Sequence, residues 1–418
     1  MRAGTVIVGT GQAGFQTAAS LRTEGYQEPI SLVGEEPHIP YQRPPLSKGF
    51  QLEQQDFQSI LFRPESFYRE HAIRLLTGTK VERIEYAERR VKIASGAPLP
   101  YDKLVLAVGA RNRALSVPGS ELDGIVYLRS LDEASQLQTR LKGAREIVVI
   151  GGGFIGLEVA AVARGLGKSV TVVEALPRLM SRVVAPIISD FYQSLHASKG
   201  VNVVCGGCVS EFAGPGGKVG HVVLKDGGSY PADLVVVGIG VVPNVELARD
   251  AGLAVANGIA VNEILETDGA NIFAIGDCAE HPCSFAGARI RLESVQNAAD
   301  QAQCVAATIA GRRESYRALP WFWTEQYEVK LQMAGISQGH DQVVLRGNSE
   351  ARKFSVFYFK KNRIVAIDSI NRPLDHIVGR KLMAAGAQIT PEQAADESVD
   401  LRKLEHAIGR HAFHPSAH

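Results

Sequence analysis

The chain has 418 residues, 45% of them apolar and 21% charged, with 45 Lys and Arg against 44 Asp and Glu. This composition excludes a disordered, collagen-like or fibrous chain, and the length suits about two or three domains with real cores. A net charge of +1 provides no global field that would draw the protein to nucleic acid or to an anionic membrane, so a charged partner must be met by a local patch.

Near the start, Thr5–Val8, apolar after its threonine, leads straight into glycines rather than into a signal-peptide pattern. Further runs follow at Ile30–Val33, Leu104–Ala107, Ile147–Ile150, Val170–Val173 and Leu234–Val237. Each is mostly apolar rather than strictly alternating, broken only by Thr5, Ser31 and Thr171, as expected of strands covered on both faces in a parallel sheet. Helix-length segments separate them, which predicts α/β units. The last hundred or so residues read differently. Phe354–Phe359 and Ile364–Ile367 flank the basic turn 360–363, predicting an antiparallel hairpin, and Leu374–Ala385 predicts a helix. Pro320 marks the expected start of this smaller α+β domain.

Glycine motifs carry the first chemical signal. Gly9-Thr10-Gly11-Gln12-Ala13-Gly14 recurs about 140 residues later as Gly151-Gly152-Gly153-Phe154-Ile155-Gly156, a spacing too long for a solenoid repeat. Each copy follows an apolar strand and opens a helix. That is the setting in which such glycines admit a pyrophosphate to a helix N-terminus. Each copy is also followed by an acid at the end of the next strand, Glu35 and Glu174. A carboxylate there hydrogen-bonds an adenine-nucleotide ribose. The alternative, two ordinary glycine turns beside surface acids, would have to produce the whole pattern twice. Two sites imply two dinucleotides, and FAD with NADH is the chemically sensible pair. Glu174 would repel a 2′-phosphate, which favours NADH over NADPH, although Arg178 and Arg182 close behind could soften that preference.

Pro40-Tyr41-Gln42-Arg43-Pro44-Pro45-Leu46-Ser47-Lys48 resembles the signature of FAD-dependent ferredoxin reductases, the putidaredoxin reductase-like family. These serve bacterial haem-thiolate monooxygenases and ring-hydroxylating dioxygenases. The resemblance continues through Tyr101–Gly109, both glycine motifs, Val237–Asn244, Ile272–Asp277, Glu293–Asn297 and Pro320–Tyr327, and so covers nearly the whole chain. It implies a glutathione reductase-like fold with two Rossmann-like domains and a C-terminal α+β domain. FAD would occupy residues 1–112 and 246–319 and NAD residues 113–245, with 320–418 as the last domain.

Site roles follow from the resemblance. Gly9, Gly11, Gln12, Ala13 and Gly14 would hold the FAD pyrophosphate and Glu35 its ribose. Arg43 would add positive charge near the phosphates, and Val81 would meet the adenine through its backbone. Ala107 and Gly109 keep the small residues of a family Ala-Thr-Gly, with Val108 in place of the threonine. Arg129 matches an FAD contact, Asp277 would accept from the ribityl chain, Val295 would approach the pyrimidine edge, and Trp323 would border the ring. Lys48, paired with Glu158, would sit near flavin N5 and stabilise negative charge on the reduced ring. Gly151, Gly153, Phe154, Ile155, Gly156 and Glu174 would serve NADH, and Gly240 would let the nicotinamide approach.

Cys205 and Cys208 form a C-x-x-C without the partner pair that a zinc site needs. No cysteine lies between Arg22 and Arg90, where the disulfide reductases of this scaffold carry their redox pair. Five cysteines also fall short of a secreted disulfide framework. The expected outlet is therefore direct electron transfer from flavin to an acidic 2Fe–2S ferredoxin in a transient complex. Arg289, Arg291, Lys330, Lys360, Lys361 and Arg363 are candidates for its docking. Rubredoxin reductase, NADH oxidase and an apoptosis-inducing-factor-like NADH sensor are the alternatives. His406, His411, His414 and His418 read as a tail, not a metal site. The expected protein is cytoplasmic, a monomer or weak dimer, with no metal, membrane or nucleic-acid partner.

Overall fold

The computed structural model describes residues 3–387 and 389–404; the four C-terminal histidines lie outside them. The chain forms two compact units. One comprises residues 1–45, 55–111 and 241–318, and the other residues 46–54, 112–240 and 319 onward.

The first unit is built on a parallel sheet in the order Ile272–Ala274, Lys103–Leu106, Thr5–Val8, Ile30–Val33, Ile73–Leu76. Every residue of Thr5–Val8 and Ile30–Val33 is buried, which is why these strands are mostly apolar, Thr5 and Ser31 being their small polar members. Helices Gln12–Thr23 and Val295–Ile309 pack on each other, and the alanines they present keep the contact close.

The second unit repeats the plan. Its parallel sheet runs Asn202–Cys205, Ser169–Glu174, Glu146–Ile150, Leu234–Val237, Ile125–Val126. Its C-terminal part is an antiparallel sheet in the order Trp321–Gln326, Val329–Gly335, Arg363–Ile370, Lys353–Lys360, Gln342–Asn348. The expected hairpin is present, and Lys361 and Asn362 turn it with φ of 49° and 58°. Two positive-φ residues match the right-handed twist of the flanking strands. The following helix spans Pro373–Ala384. Among the described residues no helix is long and apolar enough to cross a membrane.

This hairpin buries a carboxylate. Asp368 is 1% exposed and accepts a short hydrogen bond from the Tyr358 hydroxyl. Burial pushes its carboxyl up to about 7, against the opposing pull of that hydrogen bond. In the unfolded chain the same group titrates near 3.8, so the folded protein keeps a proton there that the unfolded chain has released. Its contribution to stability is therefore complete below pH ~4 and is lost as the pH rises to ~7. Asp368→Asn removes this dependence. Relative to the parent, the variant should gain on the order of a few kcal/mol between pH ~5 and ~8. Melting temperatures of both proteins across that range check it; parallel curves would contradict the assignment.

Candidate functional site

The two glycine turns are constructed alike. Gly9 has φ 112°, and a Cβ there would lie 2.1 Å from the Ala107 carbonyl oxygen. A Cβ on Gly14 would lie 1.8 Å from the Gly9 carbonyl oxygen. In the second turn the corresponding distances are 2.3 Å for Gly151 to the Gly238 oxygen and 2.2 Å for Gly156 to the Gly151 oxygen. These four positions let the helix close on the strand. Gly11 and Gly153 have a different environment: a Cβ on either would meet nothing within 4 Å. Both are N-caps, of helices Gln12–Thr23 and Phe154–Gly165, without a side-chain cap or an acid in the first turn. An uncapped helix start with open space before it fits a pyrophosphate, which would accept from the orphan amides. The structure thus fits a dinucleotide in each unit.

The two acids are held differently. Glu35 is exposed, with Lys80 Nζ 3.5 Å away; Lys80 precedes Val81, which is buried at the start of strand Val81–Glu85. Glu174 accepts from the Gly152 amide at 2.7 Å and from the Leu176 amide at 2.8 Å. It is thereby fixed against the second turn.

Lys48 and Glu158 come together within the second unit. Glu158 is 4% exposed on the apolar helix Phe154–Gly165. Its Oε2 lies 2.8 Å from Lys48 Nζ and accepts from Ser47 Oγ at 2.6 Å. Its Oε1 accepts from Thr324 Oγ1 at 2.6 Å. The carboxylate is thus paired and hydrogen-bonded, the condition for burying a charge. Ser47 and Thr324 fall within the segments that carry the resemblance, but the sequence assigns no role to either. Their only sign is their place beside Lys48 and Trp323.

The other expected residues divide between the units. In the first, Arg43 pairs with Glu36 at 2.5 Å. Burial works against its charge, but Tyr41, Glu36 and Asp277 hold the guanidinium above its ordinary value. Asp277 lies on the short turn Gly276–Cys278, where Gln301 Oε1 accepts from the Gly276 amide at 2.7 Å. Ala107 is buried, Gly109 turns with φ 64°, and Val295 begins helix Val295–Ile309 behind the Ser294 cap. In the second unit, the Arg129 amide donates to Glu133 at 2.7 Å, beside the capping box of helix Leu131–Gly143. Trp323 is half-buried with its ring 5.5 Å from Trp321. Gly240 has φ 99° and open space at its Cβ position. Phe154 stacks obliquely on Phe322 at 4.7 Å, and Ile155 is exposed.

The cysteines show no relay. All five are free thiols. Burial, aided by the Glu174 charge, pushes the Cys205 thiol up, which disfavours the reactive thiolate. Among the described residues no cluster could hold a metal ion. Of the docking candidates, Arg289, Arg291 and Lys330 pair with Glu280, Glu293 and Glu325. Lys360, Lys361 and Arg363 stand exposed at the hairpin turn.

Comparison with known proteins shows what this chain is similar to. The family described as pyridine nucleotide-disulphide oxidoreductase matches residues 4–302, and the one described as reductase C-terminal matches residues 321–405. Rhodocoxin reductase of Rhodococcus erythropolis is 47% identical over 406 residues, 97% of this chain and 94% of the relative. The crystal structure of the ferredoxin reductase for the CYP199A2 system from Rhodopseudomonas palustris matches with a TM-score of 0.94 at 47% identity, covering 96% of this chain and 99% of that one. A covalent putidaredoxin reductase–putidaredoxin complex matches with a TM-score of 0.94 at 39% identity, covering 98% and 99%.

The two kinds of glycine predict opposite phenotypes. Gly156→Ala should destabilise the protein by about 2–3 kcal/mol, because the backbone must move. Gly153→Ala should cost no more than about 1 kcal/mol, yet weaken NADH binding at least tenfold. Thermal melts and NADH titrations of both variants check the contrast.

Proposed function

Because the chain belongs to the pyridine nucleotide-disulphide oxidoreductase family and carries its reductase C-terminal domain, we propose that it oxidises NADH and passes electrons one at a time to a 2Fe–2S ferredoxin. That ferredoxin would serve a haem-thiolate monooxygenase or a ring-hydroxylating dioxygenase. The observation that carries the reading is the pairing of Lys48 with the buried Glu158, in a chain that offers no dithiol between Arg22 and Arg90. The relatives support it: one solved complex pairs such a reductase with putidaredoxin.

When bound, the cofactors supply the redox chemistry, hydride passing from NADH to FAD and electrons leaving singly. The chain's residues bind and tune. Gly11 and the start of helix Gln12–Thr23 take the FAD pyrophosphate, with Glu35 on the ribose, Arg43 near the phosphates and Asp277 toward the ribityl chain. Val81, Ala107, Gly109 and Val295 would complete the FAD surroundings offered by the first unit. Gly153 and the start of helix Phe154–Gly165 take the NADH pyrophosphate, and Glu174 takes the ribose. Gly240 leaves room for the nicotinamide. Lys48 would supply a cation that stabilises negative charge on the reduced flavin, and Glu158 fixes where that cation points. The exposed cations Lys360, Lys361 and Arg363 suit an acidic ferredoxin, whose encounter would weaken with salt.

Anaerobic titration tests this. NADH should bleach the flavin fast, NADPH weakly, and an added 2Fe–2S ferredoxin should reoxidise it. Glu174→Ala should raise the NADH Kd about tenfold and narrow the gap to NADPH. Slow bleaching with a persistent long-wavelength band and no response to ferredoxin would favour an NADH sensor instead. Reoxidation by rubredoxin or oxygen but not by ferredoxin would change the acceptor.

A further inference from the structure

The segment after Glu174 is tied to the C-terminal sheet. Residues 175–185 form an irregular loop whose Leu179, Met180, Val184 and Ala185 are buried. The Met180 amide donates to the Gly152 carbonyl at 3.0 Å, so the loop closes on the same glycine whose amide holds Glu174. Met180 does this at φ 50°, a left-handed conformation that a long side chain adopts only when its surroundings enforce it.

Arg178 supplies part of that enforcement. Its Nη1 donates to the Val184 carbonyl at 2.8 Å and to Ser189 Oγ at 2.7 Å, and its Nη2 to the Ser181 carbonyl at 2.9 Å. These donors are used inside the loop, and a 2′-phosphate would have to compete for them. The remaining anchor comes from the C-terminal sheet. The Ala185 amide donates to the Tyr358 hydroxyl at 3.1 Å, and that hydroxyl donates to Asp368. Tyr358 is fully buried. The acceptance by Asp368 fixes the hydroxyl hydrogen, so the oxygen's lone pairs face Ala185. Ser337 Oγ adds a contact of 3.3 Å to the Val183 carbonyl.

We propose that Tyr358, oriented by Asp368, is a positioning residue for the nicotinamide nucleotide: it holds the 175–185 loop, and through that loop the Gly152–Glu174 contact that presents the acid to the ribose. The inference rests on the reading of Glu174 as the ribose acceptor. It gives the C-terminal sheet a part in NADH affinity, although no residue of that sheet need touch the nucleotide. A loop with one end released spends more time away from its binding conformation, and affinity falls by the fraction lost.

The test uses the oxidised FAD holoenzyme and NAD+ as probe, so that no turnover intervenes. Tyr358→Phe keeps the ring and removes the hydroxyl. It should raise the calorimetric Kd for NAD+ about fivefold, the worth of one neutral hydrogen bond. Amide exchange across 175–185 should accelerate by a similar factor, while FAD content and the rate at saturating NADH stay within about twofold, which separates an effect on binding from general damage. An unchanged Kd, whatever the exchange shows, overturns the proposal. Should Tyr358→Phe fail to fold, wild-type exchange decides: saturating NAD+ must slow exchange at 175–185, and no slowing overturns it. Glu174→Ala separates the two readings. If that variant leaves the NAD+ Kd unchanged, the ribose assignment falls and this inference with it. If it weakens binding but Tyr358→Phe does not, only the inference falls.

Discussion

A carboxylate buried in an apolar helix is the constraint on which much of this structure depends. Glu158 lies among Leu157, Val159, Ala160 and Ala161, all buried. It is tolerable there only because Ser47, Lys48 and Thr324 bring donors to it. An uncompensated charge at such depth costs several kcal/mol, far more than the net worth of an ordinary hydrogen bond. The need for donors therefore recruits two distant stretches of chain. The loop 46–54 clusters with the second unit, although residues on both sides of it belong to the first. Other bonds reinforce that placement: Gln51 Nε2 donates to the Ala134 carbonyl at 3.0 Å, and Gln138 Nε2 to the Phe50 carbonyl at 2.5 Å. Residues 46–54 and the second glycine helix are thus one construction, with Lys48 held at its edge, its side chain 23% exposed.

What was legible in the sequence was local. Strands such as Ile147–Ile150 and Leu234–Val237 announce themselves because burial on both faces removes polar residues from the run. The glycine turns are legible because close approach admits no Cβ at Gly14 or Gly156. Lys48 and Glu158 could be paired only through resemblance, since 110 residues separate them. Thr324 carries no local sign beyond its place beside Trp323, and Tyr358 none at all. One is a strand threonine and the other a strand tyrosine, types favoured there for packing alone. Their roles arise from partners at sequence separations of 166 and 173, which no window of pattern can contain.

Charge near the second turn shows how a local reading changes once partners are known. By position, Arg178 could soften the preference expected of Glu174. In the fold its guanidinium binds the loop's own carbonyls, so it stiffens the segment behind the acid. The same side chain that sequence proximity assigns to the nucleotide is, by geometry, part of the scaffold. The cysteines make the complementary point. Cys205 is raised by burial and by Glu174, so a C-x-x-C spacing here lacks the electropositive surroundings that make a thiol reactive.

The two dinucleotide turns share a backbone plan and differ in how each prepares its acid. Glu35 has an exposed side chain with a lysine 3.5 Å away. That contact is screened by water and contributes little order. Glu174 accepts two backbone amides, and the loop behind it is stapled from within and anchored from another sheet. A ligand meeting Glu35 must order the side chain itself; one meeting Glu174 finds it ordered. Preorganisation lowers the entropy lost on binding and sharpens discrimination between closely related ligands. With Glu35 assigned to FAD and Glu174 to NADH, as proposed, the difference suits the two tasks. A cofactor that stays bound through turnover gains its affinity from many contacts and can tolerate one loose acid. A nucleotide that must enter and leave on each cycle, and be told apart from its phosphorylated twin, places more of the decision on a single carboxylate.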